Sequence, residues 1–162
     1  MKKQTKLNKK RRLQGKTNYT KRLILLKGKC LRLVVRKSNK YILLQIVESV
    51  HAQDKVLAGV STRDLLKYQW PEEKKGSLKS LGAAYLGGLL IGKKISGKIK
   101  SRVILDSGLI PSTKGSRVYA VVKGVEDAGV NIVYDEKVIP GIEKIKKEKF
   151  FDKVKNKIGG EK

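Results

Sequence analysis

The sequence predicts a two-layer α/β domain (α+β in layout). Its sheet is a three-stranded antiparallel meander extended by one parallel strand, with two helices on one face. A basic N-terminal arm and a C-terminal helix flank it. Three observations predict this. Residues 31–47 alternate apolar and polar positions around a tight turn, the pattern of a hairpin with one buried face. Two later stretches, 78–95 and 118–125, repeat apolar residues at helical spacing on either side of a short apolar strand, 102–106. The two ends of the chain carry lysine runs with few large apolar side chains.

The arm comes first. Residues 1–30 hold twelve Lys or Arg and no acidic residue. The segment through about Lys21 has too little apolar surface to fold alone and is expected to order on a partner. The organisation this implies is an arm over 1–27, a domain over 28–134 and a basic helical extension over 135–162. Tyr19, inside the basic run, suits stacking on a base or packing on the domain.

LRLVVRKSNKYILLQIV then reads as two strands with Ser38-Asn39 at the tip. A two-residue turn there sets Arg36 opposite Tyr41, Val34 opposite Leu43 and Arg32 opposite Gln45. One face becomes Leu31, Leu33, Val35, Ile42, Leu44 and Ile46, all apolar. The other carries Arg32, Arg36 and Tyr41, types that serve phosphates and bases together, and is read as an RNA-facing surface. Simple solvent exposure would give the same pattern.

Lys55 to Ser61 supplies the third strand. Residues 62–77 read as irregular, with Tyr68 and Trp70 as packing anchors. Leu78, Leu81, Tyr85 and Leu89 form one stripe of a helix running to Ile95. Its glycines each cost on the order of 1 kcal/mol of helix stability, which implies close approach of its backbone to the sheet. A crossover through this helix returns the chain to the parallel strand ending at Asp106. PSTKGSRVYAVVKGVEDAG follows as a turn feeding a helix, with Thr113 or Ser116 as cap and Gly129 as the closing glycine. Gly115 is read as letting the backbone pass close to something. A helix start flanked by Lys114 and Arg117 is a place for a phosphate, although an ordinary turn would look alike. Beyond Pro140, Phe150, Phe151, Val154 and Ile158 share one side of a last helix, suited to docking on the domain or a neighbour.

Composition narrows the function. With 39 Lys and Arg against 14 Asp and Glu, the net charge is +25. That much charge opposes compaction unless a polyanion neutralises it, and nucleic acid is the first candidate, an anionic membrane the second. No apolar run is long enough to span a bilayer and no signal-like core follows the basic start, so a cytosolic protein is expected. One cysteine, Cys30, and one histidine, His51, leave no cysteine-based zinc site and no His-paired metal site.

An enzyme reading fails on its own terms. Three antiparallel strands, a helix and a parallel strand also open the ribonuclease-H-like nucleases, whose two-metal chemistry needs clustered carboxylates. Here only Asp106 and Glu48 lie near strand ends, and Asp106 reads as a turn or capping residue. No phosphate loop, nucleophile elbow or metalloprotease motif is present.

RRLQGKTNYTKRL, RLVVRKSNKYILLQIVE, AAYLGGLLIGKK and PSTKGSRVYAVVKGVEDAG, in that order over roughly residues 11–140, carry a resemblance. The chain resembles the universal large-subunit ribosomal protein family that binds 5S rRNA, family number eighteen, in its archaeal form. The GKTNY arm and the length of chain beyond Gly129 point to that form. The resemblance implies a non-enzymatic, cytoplasmic constituent of the large subunit with no cofactor. It would bind 5S rRNA and fasten it to the large-subunit (23S-type) rRNA in the central protuberance, beside a neighbouring 5S-binding ribosomal protein. Carried over by position, it implies RNA contacts at Lys9, Arg11, Arg12, Lys16, Tyr19 and Arg22 in the arm. It implies them also at Arg36, Lys37, Ser38, Lys40 and Tyr41, and at Lys114, Gly115, Ser116 and Arg117. WPEEKKGSLKSLG is more charged than the family pattern, and the end after Pro140 matches no family motif. The rival reading, a non-specific nucleic-acid-compacting protein, shares the charge but would bind any RNA or duplex DNA alike.

Overall fold

A computed structural model of the chain describes residues 7–99 and 101–160. The first six residues of the expected arm and the last two of the C-terminal extension lie outside that range. Two helices precede the sheet, a single turn α1 (Lys10–Leu13) and α2 (Tyr19–Lys27). Asn18 caps α2, its side chain accepting from the Lys21 N–H at 3.0 Å. The described part of the arm also contacts its own domain. Arg22 pairs with Asp54 at 3.0 Å, and the Lys21 ammonium donates to the Ser107 hydroxyl and the Gly108 carbonyl, both at 3.2 Å. Anchors that distant in sequence leave no trace in the arm's composition.

Strands β1 (Leu31–Lys37), β2 (Ile42–Val50), β3 (Gln53–Ser61) and β4 (Val103–Asp106) form one sheet in the order β3-β2-β1-β4. β4 runs parallel to β1, and the other neighbours are antiparallel. The hairpin register is displaced by two from the expected one. Arg36 faces Leu43, Val34 faces Gln45 and Arg32 faces Val47. Ser38 causes this. Its N–H and hydroxyl both donate to the Tyr41 carbonyl, at 2.9 and 2.7 Å, which moves the tip to Asn39-Lys40. An even displacement keeps every side chain on its face, so the six residues of the expected apolar face are all buried.

Residues 62–77, expected to be irregular, form two 3-10 helices over Thr62–Tyr68 and Glu72–Ser77. A reciprocal pair of bonds between Ser61 and Asp64 starts the first. Trp70 is an anchor as expected, buried with its indole N–H on the Lys74 carbonyl. Helix α3 (Leu81–Ile95) starts at its Ser80 cap and lies on the apolar face of the sheet.

Helix α4 (Arg117–Asp127) packs along α3, and here the glycines find their use. A Cβ on Gly88 would sit 2.2 Å from the Val121 carbonyl oxygen, and one on Gly124 would sit 2.1 Å from that of Tyr85. The close approach is therefore mainly helix to helix, where the sequence suggested helix to sheet. Only at Gly87 are the nearest atoms those of Leu44 on the sheet and of Thr62. Gly129, at φ 87°, closes α4 as expected.

After α4 the chain touches the sheet once more through a parallel bridge from Ile132 to Val103. It then forms a short turn, α5 (Ile142–Ile145), and α6 (Phe151–Gly160). Phe151, Val154 and Ile158 are buried on the domain, and Phe150 meets Trp70 edge-on at 4.7 Å. Lys93 of α3 closes α6 by donating to the Ile158 and Gly159 carbonyls at 2.8 and 2.7 Å. The last helix docks on its own domain; Lys153 and Lys157 face outward, while Lys155 lies over the Tyr85 ring at 5.6 Å.

Candidate nucleic-acid interface

Because β1 and β4 are parallel, both end at the same edge of the sheet, where the chain leaves β4 for the start of α4. Crevices outside such carboxyl ends are where open α/β sheets bind ligands. Two clefts lie there.

The first is framed by the arm, the end of β1 and the Asp106-Ser107-Gly108 turn, with Arg11, Lys16, Arg22, Arg36 and Lys37 in its lining. The turn is its anchor. The Asp106 carboxylate accepts from Arg32 Nη1 at 2.7 Å, from Arg36 Nη2 at 3.1 Å and from the Gly108 N–H at 2.9 Å. Arg36 also donates to the Asp106 carbonyl at 2.8 Å. A Cβ on Gly108 would come within 3.0 Å of the Arg36 guanidinium carbon, so glycine there leaves room for the side chain to lie on the turn. Burial alone would raise the Asp106 pKa, but Arg36, the Gly108 N–H and Arg32 outweigh it and hold the carboxyl below its usual value. Asp54 is likewise held low: burial opposes, and Ser49, Arg22 and Arg32 prevail.

Arg32 corrects the reading of the hairpin. It is 1% exposed, its guanidinium shared between Asp106, Ser49 and Asp54. Burial with two carboxylates leaves no free cation for RNA, so Arg32 organises the face instead of presenting itself on it. Arg36 keeps nearly half of its side chain exposed while its Nη atoms are held. It is an oriented cation at the rim.

The arm residues spread around the same opening. Lys9 lies over the Tyr19 ring at 4.5 Å, a cation–π contact that occupies one ring face. Arg11 donates to Thr17 at 3.0 Å, and Arg12 is exposed beside Tyr19. Ser38, Lys40 and Tyr41 sit apart, at the hairpin tip. The Ser38 hydroxyl is spent on the turn, accepting from the Tyr41 N–H at 3.0 Å and donating to its carbonyl. Lys40 stays exposed.

The second cleft lies at the start of α4, with Lys37, Lys114 and Arg117 in its lining. Gly115 adopts φ 68° with open space around it, so a left-handed turn, not a close approach, requires the glycine. Its N–H donates to the Val138 carbonyl at 2.8 Å. Ser116 has the backbone angles of a cap, but its hydroxyl makes no capping bond. Sequence reasoning missed Lys21, Ser107 and Gly108. The Asp-Ser-Gly triplet after a strand was the available signal, a turn motif with a side-chain acceptor.

Among the described residues no group of three acids, histidines or cysteines converges as a metal site, and no helix is long and apolar enough to cross a membrane. Asp106, the carboxylate a nuclease would need, is already committed to two arginines.

Comparison with known proteins gives consistent matches. A family model described as ribosomal large subunit proteins 60S L5 and 50S L18 matches residues 2–102. The match ends before α4, so the helix-start residues lie beyond it. Three curated relatives are each named large ribosomal subunit protein uL18. That of Korarchaeum cryptofilum is 42% identical over 138 residues, 85% of this chain and 69% of the relative. Those of Aeropyrum pernix and Caldivirga maquilingensis are 41% and 42% identical over 139 residues, covering 63% and 65% of their own lengths. The chain thus spans roughly two thirds of the relatives it matches.

Proposed function

Since the chain belongs to the family of large-subunit ribosomal proteins that holds 60S L5 and 50S L18, we propose that it binds 5S rRNA and fastens it to the large-subunit rRNA. The family is one of ribosomal structural proteins, not enzymes. The finer reading places the protein in the central protuberance of the cytoplasmic ribosome, beside another 5S-binding protein. Lysines and arginines supply affinity by displacing condensed counterions, a term blind to sequence. Selectivity has to come from fixed shape, because duplex RNA is read through its backbone geometry.

One observation carries the reading: the first cleft holds its cations in place. Arg36 is pinned on the Asp106 turn, Lys21 ties the arm to the same turn, and Arg22 ties it to Asp54 at the start of β3. A floppy basic tail has no such rigidity. The proposed contacts are Lys9, Arg11, Arg12, Lys16, Tyr19, Arg22, Arg36, Lys37, Lys40, Tyr41, Lys114 and Arg117, with Ser38, Gly115 and Ser116 shaping the backbone between them.

The test is a filter-binding series on 5S rRNA. Replacing Arg36 and Arg117 by Ala should weaken binding more than replacing the arm lysines Lys10 and Lys27 by Ala, although each pair removes two charges. Equal losses would mean that charge alone, not the folded edge, carries recognition.

A further inference from the structure

The lysine-rich stretch after Pro140 matched no motif, yet the structure gives it a place. The segment Gly141–Glu148 packs against the start of α3: a Cβ on Gly82 would lie 2.9 Å from the Ile145 carbonyl oxygen, and Ile145 is buried. That packing brings Lys144 and Lys147 into the lining of the second cleft, opposite Lys114 and Arg117. Lys37 and Ile110 line both clefts, so the two are continuous around the end of β1.

Within the second cleft the charges are uncommitted. Lys37, Lys114, Arg117, Lys144 and Lys147 form no ion pair among the described residues, and Glu148 is the one carboxylate in the lining. The helix start that opens into it is also unfinished. The Ser116 carbonyl accepts from the Tyr119 and Ala120 N–H groups, but its hydroxyl oxygen is buried without a partner. No side chain caps the first turn of α4. Five like charges drawn from three separate segments around an uncapped helix start repel one another until an anion arrives.

We propose that the C-terminal segment Gly141–Glu148 is the outer wall of a second phosphate-binding cleft, and that RNA backbone lying in the first cleft runs on past Lys37 into it. The occupant is sugar-phosphate backbone. Continuity with the first cleft and the run of cations along it match a polyanion with regularly spaced charges. This deepens the reading above and rests on it for the identity of the RNA. The C-terminal extension thereby becomes part of the RNA-binding surface, while the buried stripe of α6 serves to fix it in position.

The experiment compares Lys144→Gln/Lys147→Gln with Lys153→Gln/Lys157→Gln, two pairs of exposed lysines with equal charge loss, the second pair on the outer side of α6. Binding is measured against salt on 5S rRNA and on an unrelated duplex RNA. The cleft pair should lose about tenfold or more in affinity, with a salt slope shallower by about 1.4–1.8, because two phosphate contacts vanish. The α6 pair should stay within about threefold, the screened effect of charges remote from the phosphates. Equal losses from the two pairs on both RNAs would overturn the cleft and leave this lysine face to a protein neighbour. Whether wild-type protein prefers 5S rRNA to the duplex is a separate readout, so the identity of the RNA can fail while the cleft stands.

Discussion

Asp106 sets the geometry of the candidate interface by holding two arginines. Arg32 is too buried to be left without a counter-charge, and Asp106 also orients Arg36 at the rim. Asp106→Asn leaves Arg32 only Asp54, itself a third exposed, as counter-charge and frees Arg36 from its carboxylate. It should therefore cost about 1.5–3 kcal/mol in urea unfolding, the level of a lost bond to a charged group. A loss below about 1 kcal/mol, the level of an exposed pair, would contradict this role. The pH dependence has a definite sign. A carboxyl whose folded pKa is depressed contributes fully above its unfolded value, near 3.9, and loses that contribution as pH falls through the folded value. Acid loosens this turn and neutral pH does not touch it. In the sequence Asp106 was legible as a turn residue, and its bond from the Gly108 N–H is that turn. Its two arginines were not legible, because strand order decides which side chains face β4.

At the scale of elements, the α3–α4 pair is the rigid core behind the interface. The helices meet backbone to backbone at Gly88 and Gly124, and the Tyr85 hydroxyl joins them by donating to Asp127 at 2.6 Å. Gly88→Ala should gain about 1 kcal/mol of helix propensity. It should lose about 3 kcal/mol to overpacking against a carbonyl that cannot move alone, for a net cost of about 2 kcal/mol. Gly141→Ala, with open space around it, is the control and should be near neutral. A stabilised Gly88→Ala variant would show that the helices do not meet closely. Helical spacing made both helices legible. It could not say which surface the glycines met, since helix and sheet both accept a small residue. The hairpin shows a complementary limit. Alternation assigned the faces correctly, while the register depended on one serine side chain and slipped by two.

For the whole molecule, the net charge of +25 suits a polyanion, and the fold gathers part of that charge around two adjoining clefts. Parallel pairing of β1 with β4 puts the end of β1 and the start of α4 at one end of the sheet, and Lys21 ties the arm to the turn there. Composition could not show that the arm is tied down by Asp54 and the 106–108 turn, nor that the unmatched C-terminal lysines return to the same edge. Those contacts join residues far apart in sequence. On the proposed function, this fixed surface recognises one folded RNA and does not merely collect anions. The most direct measurement is competition for labelled 5S rRNA at near-physiological salt, against tRNA and random-sequence RNA of equal length. 5S rRNA should stay bound at about a hundredfold excess of competitor, a specificity ratio that counterion release alone does not give. Displacement mole for mole would contradict it.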